Sequence, residues 1–334
     1  WIWPVLFCAL VGLPTLGVWV AGCDVSRYLQ FPPLTRYVSH PGFSWTMFVL
    51  IALADLILVG GLVWAIMRGV RCTARKRWRN RSGFRFPWWG WAGVVLGVLA
   101  WGVAWTRFPW FSLFQKHTFF PLWLAYILVV NAWCVKRTGS SLLTRTPARF
   151  VLLFPVSAVF WWFFEYLNRF VQNWYYLGVE SFSPLAYVLS ATLPFSTVLP
   201  AVLSTSELLL SFRPLKEGLR GAGIPPVDRR LCGGVILLVA AFGLALIGVL
   251  PHLLFPLLWV SPLLVISGLR GLSGSQTLFS ALPRGHWYVI VVPALAALIC
   301  GFFWEMWNVY SLAHWEYSIP YVDRFHLFEM PLLG

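Results

Sequence analysis

Residues 45–67 read WTMFVLIALADLILVGGLVWAIM, an apolar run that contains one charged side chain, Asp55. A transmembrane α-helix needs about 20 such residues, because each residue adds about 1.5 Å and the hydrocarbon core is about 30 Å thick. Similar runs recur along the chain, and they lack the ten-residue alternation that is typical of a transmembrane β-barrel. We therefore predict an all-α protein, a polytopic bundle of transmembrane helices.

The composition of the chain indicates the same class. Of the 334 residues, 59% are hydrophobic and 11% are charged, and the mean hydropathy is +0.75. Soluble domains carry about 25% charged residues, so the soluble, disordered and collagen-like classes are excluded. No polar stretch is long enough to form a core of its own. We therefore treat residues 1–334 as a single integral membrane domain.

The apolar runs predict about nine spans. They cover residues 2–21, 45–67, 88–106, 118–135, 149–167, 184–212, 231–250, 253–268 and 287–304, with 325–334 as the start of a tenth. The chain begins at Trp1 without a Met and stops at Gly334 inside an apolar segment. We therefore expect a fragment or a processed form.

Basic residues are concentrated in alternate loops. Segments 68–87, 136–149, 213–230 and 269–286 hold 19 of the 25 Lys and Arg residues. The positive-inside rule places them in the cytoplasm, in what we interpret as a protein of the bacterial inner membrane. The same rule explains the net charge of +14, so we predict no nucleic-acid partner;. The run 68–81 is interpreted as a topology anchor, with binding of anionic membrane lipid as the alternative.

One motif occurs twice in the chain. Residues 162–168 read WFFEYLN and are followed by WYY at 174–176, whereas residues 302–308 read FFWEMWN and are followed by WEY at 315–317. Both copies fit aromatic-Glu-x-x-Asn followed by Trp-x-Tyr. Matched acids are informative because the whole chain holds only 11 Asp and Glu residues.

The two copies predict a parallel internal repeat, with units at about 147–212 and 283–334. Four predicted spans separate Glu165 from Glu305, and an even number gives both copies the same direction. The predicted topology puts both at the outer ends of their helices. We expect them to meet about a pseudo-two-fold axis along the membrane normal.

The motif residues are the candidate site. Ionisable residues at membrane depth are costly and are functional candidates by default. Three carboxyl groups are the predicted catalytic residues: Glu305, Glu329 and Glu165. The predicted substrate-binding residues are Asn308, Asn168, Trp315, Tyr317, Trp174 and Tyr176. The alternative is structural, with the aromatic residues as an interfacial belt and the Glu and Asn residues as bonds between helices.

Other signatures of chemistry do not occur in the sequence. The six cysteines are scattered without a C-x-x-C pair, so neither a zinc site nor a disulfide framework is predicted;. Phosphate-binding loops, G-x-S-x-G elbows and H-E-x-x-H helices are absent from the sequence;. We predict no metal and no cofactor.

The two Glu-x-x-Asn and Trp-x-Tyr units, together with Phe-Glu-x-Pro at 328–331, resemble the integral-membrane lycopene cyclase and carotenoid hydratase group. Proteins of that group are built from duplicated helical units. The resemblance implies acid-catalysed cyclisation or hydration of a polyene, with Glu305, Glu165 and Glu329 as the acids. The paired Pro-x-Glu-Glu of that group is absent, and Glu329 is a single acid before Pro331.

Acid chemistry on a polyene also needs aromatic faces, because these stabilise a carbocation. Four tryptophans near the motifs are candidates for this role: Trp161, Trp162, Trp304 and Trp307.

Three functions stay open at this point. The first is a membrane-embedded enzyme that acts on a lipophilic, isoprenoid- or carotenoid-like substrate. The second is a multi-pass transporter or channel, since parallel repeats occur in carriers. The third is a non-catalytic membrane subunit of a larger complex. Membrane lipid and a lipophilic small molecule are the expected partners, and the oligomeric state is not predicted.

Overall fold

The computed structural model describes residue 4 and residues 8–75 and 83–334, and these are mainly helical. The long helices are α1 (Leu13–Val20), α2 (Trp45–Arg75), α3 (Trp88–Trp105), α4 (Phe119–Thr138), α5 (Pro147–Val171), α6 (Pro184–Ser196), α7 (Val198–Leu210), α8 (Arg229–Leu246), α9 (Pro256–Leu272) and α10 (Tyr288–Asn308). Short helical segments connect them at Cys8–Gly12, Ser26–Leu29, Pro109–Phe111, Gln115–His117, Leu142–Arg145, Arg213–Gly218, Pro251–Leu254 and Leu278–Arg284. Two antiparallel strand pairs complete the fold: β1 (Trp174–Leu177) with β2 (His314–Tyr317), and β3 (His326–Leu327) with β4 (Met330–Pro331).

Within the described residues, seven helical segments are long and apolar enough to cross a membrane. They are Trp45–Cys72, Trp88–Trp105, Gln115–Thr138, Pro147–Val171, Pro184–Leu210, Arg229–Leu246 and Tyr288–Asn308. Each coincides with a predicted span. Two further predicted spans coincide with the shorter apolar helices Leu10–Val20 and Pro256–Leu272. Residues 2, 3 and 5–7 of the first predicted span lie outside the described residues.

The C-terminal segment differs from the predicted tenth span. Residues 326–331 form the β3–β4 hairpin instead of a helix. Phe325 and Phe328 adopt left-handed backbone angles, with φ of 56° and 60°, and such residues do not continue a right-handed helix;. Glu329 therefore lies in the turn of a hairpin.

Helix α2 exposes almost all of its apolar surface. Leu56, Ile57 and Leu58 are 67%, 75% and 70% exposed. A helix this apolar is stable without protein neighbours when lipid surrounds it, because its backbone hydrogen bonds are satisfied within the helix. The exposed face of α2 is therefore compatible with an integral membrane protein.

The loops assemble at two ends of the bundle, and the end that carries residues 165–177 and 305–317 is called the motif end. Here Arg107 donates to the carbonyl of Tyr310 (2.7 Å), and Lys116 donates to Ser181 (3.0 Å). The N-terminal loop also reaches this end, where the N–H of Ser44 bonds the carbonyl of Tyr321 (2.8 Å).

The end that carries residues 139–146 and 211–228 is called the basic end. Arg137 donates there to Ser211 (2.7 Å), and Arg68 donates to the carbonyl of Gly218 (2.7 Å). Residues 76–82, which hold most of the basic run predicted as a topology anchor, lie outside the described residues.

Two of the hydrophobic clusters lie at the motif ends of α5 and α10, one around each helix. The first includes Leu167 on α5, Leu244 on α8 and Val265 on α9, whereas the second includes Trp123 on α4 and Trp307 on α10. Buried apolar side chains in close contact gain dispersion energy, and such contacts hold helices together in lipid. The motif helices are thus fixed to rigid neighbours on both sides of the site.

Candidate functional site

Both motif copies lie where a helix ends. Glu165 and Glu305 are 6% and 8% exposed, and Asn168 and Asn308 follow them by one turn. Helix α5 ends because Gln172 adopts a left-handed backbone, with φ of 49°, and bonds the carbonyl of Asn168 through its N–H;. Each copy therefore places a buried carboxyl group and a buried amide side by side.

The two asparagines join each helix to the strand that follows it. Asn308 donates from Nδ2 to the carbonyl of Trp315 (2.7 Å) and accepts the N–H of Trp315 at Oδ1 (2.9 Å). Asn168 donates to the carbonyl of Trp174 (2.8 Å) and accepts the N–H of Asn173 (2.8 Å). Both were predicted as substrate-binding residues, but the backbone occupies their amide groups. They hold the strands in place.

The strands bring the two motif copies together. In the antiparallel pair β1–β2, Trp174 lies opposite Tyr317 and Tyr176 lies opposite Trp315. The Trp of each copy therefore faces the Tyr of the other. Four of the predicted substrate-binding residues meet in this one sheet, across from the two buried carboxyl groups.

Glu165 is held by two side chains of its own copy. Its Oε1 accepts a hydrogen bond from Nε1 of Trp174 (3.1 Å) and another from the hydroxyl of Tyr176 (2.6 Å). Two donors on one oxygen are typical of a carboxyl group whose position is fixed.

Glu305 has a different set of bonds, although the sequence of its copy is equivalent. Its Oε1 accepts a hydrogen bond from the hydroxyl of Tyr317 (2.5 Å), and Nε1 of Trp315 donates to that hydroxyl (2.8 Å) instead of to the carboxyl group. The second oxygen, Oε2, is buried and bonds no residue within the described part of the chain. Buried polar atoms are rarely left without a partner, so this oxygen is a candidate for contact with a substrate.

The two tyrosines that bond these carboxyl groups lie outside the membrane-spanning helices. Burial raises the pKa of Tyr176 and of Tyr317 well above the ordinary value of 10, and the neighbouring carboxyl group raises the pKa further;. Both hydroxyl groups therefore stay protonated at neutral pH and remain hydrogen-bond donors to the carboxyl groups.

A cavity of about 380 Å³ lies between α5, α7, α9 and α10 and reaches both strands of the sheet. Ligand pockets usually measure about 300–1,000 Å³. The described residues around it are mostly aromatic or aliphatic, and they include one carboxyl group, that of Glu305. The aromatic rings belong to Phe160, Trp161, Phe164, Trp174, Tyr176, Trp259, Trp304, Trp315 and Tyr317. We call this space the apolar cavity.

A second cavity of about 460 Å³ lies at the motif end, between the sheet and the N-terminal loop. Its wall combines charged and polar side chains, Glu165 and Asn168 among them, with apolar ones. Trp174, Tyr176 and Tyr317 line both this space and the apolar cavity. We call the second space the polar cavity. Each Glu of the motif therefore borders a different cavity.

The remaining predicted residues divide between the site and its surroundings. Trp161 and Trp304 both line the apolar cavity, with ring centroids 5.1 Å apart. Trp162 instead donates to Thr192 (3.0 Å), and Trp307 packs on Trp123 in the second hydrophobic cluster.

Glu329 lies near Glu305 without touching it. It is half-buried in the turn of the β3–β4 hairpin, and its side chain makes no hydrogen bond or ion pair with the described residues. Its predicted role as a second catalytic acid stays a prediction.

Sequence reasoning missed several residues of the site, among them Trp259 and Gln172. Trp259, on α9, packs its ring 5.3 Å from that of Trp174, and no motif marks it. Gln172 accepts the N–H groups of Tyr37 and Val38 at Oε1 (both 2.8 Å) and thereby holds the N-terminal loop over the sheet. Its only signal in the sequence is a polar side chain directly after a motif helix.

No three His, Cys, Asp or Glu side chains of the described residues meet as a group that could hold a metal ion. No family model matches the chain, and comparisons with curated proteins and with solved structures return no match. The resemblance to the lycopene cyclase and carotenoid hydratase group therefore stays a prediction.

Proposed function

We propose that this chain is a membrane-embedded enzyme that protonates a lipophilic, isoprenoid-like substrate in the apolar cavity, with Glu305 as the acid. The observation that carries the proposal is Oε2 of Glu305, which is buried and has no hydrogen-bond partner among the described residues. The same side chain lines the aromatic cavity. A carboxyl group that faces an apolar space without a cation beside it is buried at the lowest cost as the neutral acid. In that form Glu305 carries a proton that it can transfer.

The proposed step transfers this proton to a carbon–carbon double bond. The π electrons form the new C–H bond, the neighbouring carbon becomes a cation, and Glu305 becomes a carboxylate. The hydrogen bond from Tyr317 to Oε1 stabilises that carboxylate;. The faces of Trp161 and Trp304 stabilise the cation. In a cyclisation, the π electrons of a second double bond form the ring bond to the cationic carbon. Loss of a proton from a carbon next to the cation then completes the cyclisation, or directly an isomerisation, and returns the proton to Glu305. In a hydration, water adds to the cation and the resulting oxonium gives its extra proton back to Glu305.

The apolar wall also favours an enzyme over the other two functions. A transporter needs a polar path near the bilayer midplane for its substrate or coupling ion. The described residues of the apolar cavity offer aromatic and aliphatic side chains instead. A purely structural subunit has no need for a cavity of this size beside a buried acid.

We also propose that the two motif copies are a parallel repeat, with units at about 147–212 and 283–334. Two observations support it. Helices α5 and α10 both run from the basic end to the motif end, and the register of β1 and β2 pairs the Trp of each copy with the Tyr of the other. The units differ after the strand, where the first continues into α6 and α7 and the second into the β3–β4 hairpin.

We propose further that the chain lies in the bacterial inner membrane with its basic end in the cytoplasm, by the positive-inside rule. Cysteines introduced at the exposed Ser181 (motif end) and Ser275 (basic end) test this. In intact spheroplasts, a membrane-impermeant maleimide is expected to label Ser181→Cys and spare Ser275→Cys, whereas a permeant maleimide labels both. The parent chain gives the background from native cysteines. Labelling of Ser275→Cys alone would reverse the orientation.

Lipid extracts test the enzyme proposal. A strain without the gene is compared by mass spectrometry with the same strain complemented by the intact chain or by Glu305→Gln. We expect one lipophilic compound to accumulate without the gene, and its isomer or hydrate to return only with the intact chain. Matching extracts from all three strains would contradict an enzymatic function.

A further inference from the structure

Several arginines line the polar cavity, although basic residues are scarce at this end of the bundle. Six of the 25 Lys and Arg residues lie outside the four basic segments. Three of those six, Arg27, Arg36 and Arg169, line this one cavity. Orientation in the membrane does not account for them, because basic residues are concentrated at the opposite end.

Among the described residues, the acids of the same wall form no ion pair with these arginines. Glu180 accepts the N–H of Gly178 (3.0 Å), and Asp323 lies 3.0 Å from Nε2 of His326. Glu165 bonds the side chains of its own motif copy, as described above. Each of the three carboxyl groups therefore has a partner other than an arginine.

The arginines are held in place by neutral groups. Arg36 lies over the ring of Tyr175, 3.2 Å from its centroid, and Arg169 donates to the carbonyl of Gln30. Nε of Arg27 is buried and bonds no residue that the structure describes. Within that same part of the chain, none of the three forms an ion pair with a carboxylate.

Tyr37, which also lines the cavity, adds no negative charge. Burial raises the pKa of Tyr37 to about 12, so its hydroxyl stays neutral and donates to the carbonyl of Arg169. The cavity therefore places three guanidinium groups that form no ion pair beside three carboxyl groups, and Nε of Arg27 is a donor without a partner among the described residues. Guanidinium groups in such a setting bind the oxygens of phosphate groups.

We propose that the polar cavity binds the phosphate head group of the substrate lipid, whose apolar chain lies in the apolar cavity. The two cavities share Trp174, Tyr176 and Tyr317 as lining residues, and these lie next to both motif carboxyl groups. The substrate class is thus a phosphorylated isoprenoid, and the arginines hold its head while Glu305 faces its chain. This inference rests on the proposed function, because it names the substrate of the same site.

Binding to the purified full chain in phosphatidylcholine nanodiscs tests the proposal, since this zwitterionic lipid brings no net charge. The probes are farnesyl phosphate, farnesol and inorganic phosphate, measured by calorimetry on the chain and on its Glu305→Gln variant. We expect farnesyl phosphate to bind at least 10-fold more tightly than farnesol or inorganic phosphate. Added salt should weaken the binding of farnesyl phosphate more than that of farnesol.

Arg36→Gln and Arg324→Gln form a matched pair for this test. Both arginines are exposed, lie at the motif end and stack on an aromatic ring, but Arg324 stacks on Phe43 and does not line the polar cavity. Arg36→Gln is expected to weaken farnesyl phosphate binding about 10- to 100-fold, as loss of a charge-assisted hydrogen bond does. Arg324→Gln should stay within about twofold of the unaltered chain.

Each remaining outcome decides one of the two proposals. Equal binding of farnesol and farnesyl phosphate, or equal effects of the two arginine variants, would overturn the head-group site. If inorganic phosphate binds as tightly as farnesyl phosphate, the cavity binds a free anion rather than a lipid head group, and the head-group proposal is overturned. Tight binding of farnesyl phosphate to Glu305→Gln, combined with unchanged lipids in the deletion strain, would support the site and refute the enzyme.

Discussion

Replacing Asn308 by alanine is expected to lower the free energy of unfolding by about 2–5 kcal/mol, because each unsatisfied buried group costs about 1–3 kcal/mol. Asn308 is fully buried and bonds both the N–H and the carbonyl of Trp315. Alanine would leave these two backbone groups without partners and release β2 from α10. Thermal and denaturant unfolding of the purified chain in detergent measures the loss.

Two further variants calibrate this result. Asn168→Ala should cost a similar amount, since Asn168 forms the equivalent bonds to Trp174 and Asn173. Ser275→Ala, an exposed change at the basic end, should stay within about 0.5 kcal/mol;. A loss for Asn308→Ala no larger than that of Ser275→Ala would show that the asparagine bracket does not stabilise the sheet.

Glu305→Gln is expected to lower product formation by about 10²–10⁴-fold, the usual contribution of a positioned general acid. Glutamine keeps the shape of the side chain and an oxygen that can accept the hydrogen bond from Tyr317. It has no acidic proton to give to a substrate. The measurement is product per folded protein in lipid extracts, with folded protein determined by thermal shift.

Glu165→Gln is the matched control for this variant. The carboxyl group of Glu165 already accepts two hydrogen bonds at Oε1 and borders the polar cavity. We therefore expect a loss of less than about 10-fold, through weaker binding or folding rather than through chemistry. The comparison separates the chemical role of one carboxyl group from the positioning role of its twin.

Much of the helical architecture could be predicted from the sequence, because length and apolar composition determine which segments cross a bilayer. The 45–67 run and six others coincide with helices long enough to span. The C-terminal prediction was wrong for a local reason. Residues 325–334 are apolar, but the left-handed backbone at Phe325 and Phe328 turns the chain into a hairpin.

Only those parts of the site that depend on the spacing of residues within one helix could be predicted from the sequence. Glu and Asn at i and i+3 lie on one helix face in any α-helix, so both pairs were recognised. The sequence did not predict that Trp174 donates to a carboxyl group and Trp315 to a tyrosine hydroxyl. The two residues occupy equivalent positions in the motif, and only their three-dimensional surroundings differ. Trp259, Arg169 and the N-terminal loop with Arg27 and Arg36 come from distant segments of the chain, and their meeting depends on tertiary packing.

The central claim is that Glu305 supplies a proton to a lipid in the apolar cavity. Product per folded protein for Glu305→Gln, measured beside Glu165→Gln in the same deletion strain, tests it most directly. The account predicts a loss of at least about 100-fold for Glu305→Gln and of less than about 10-fold for Glu165→Gln. Equal and mild losses for the two variants would contradict it and leave both motifs as devices that join helices to the sheet.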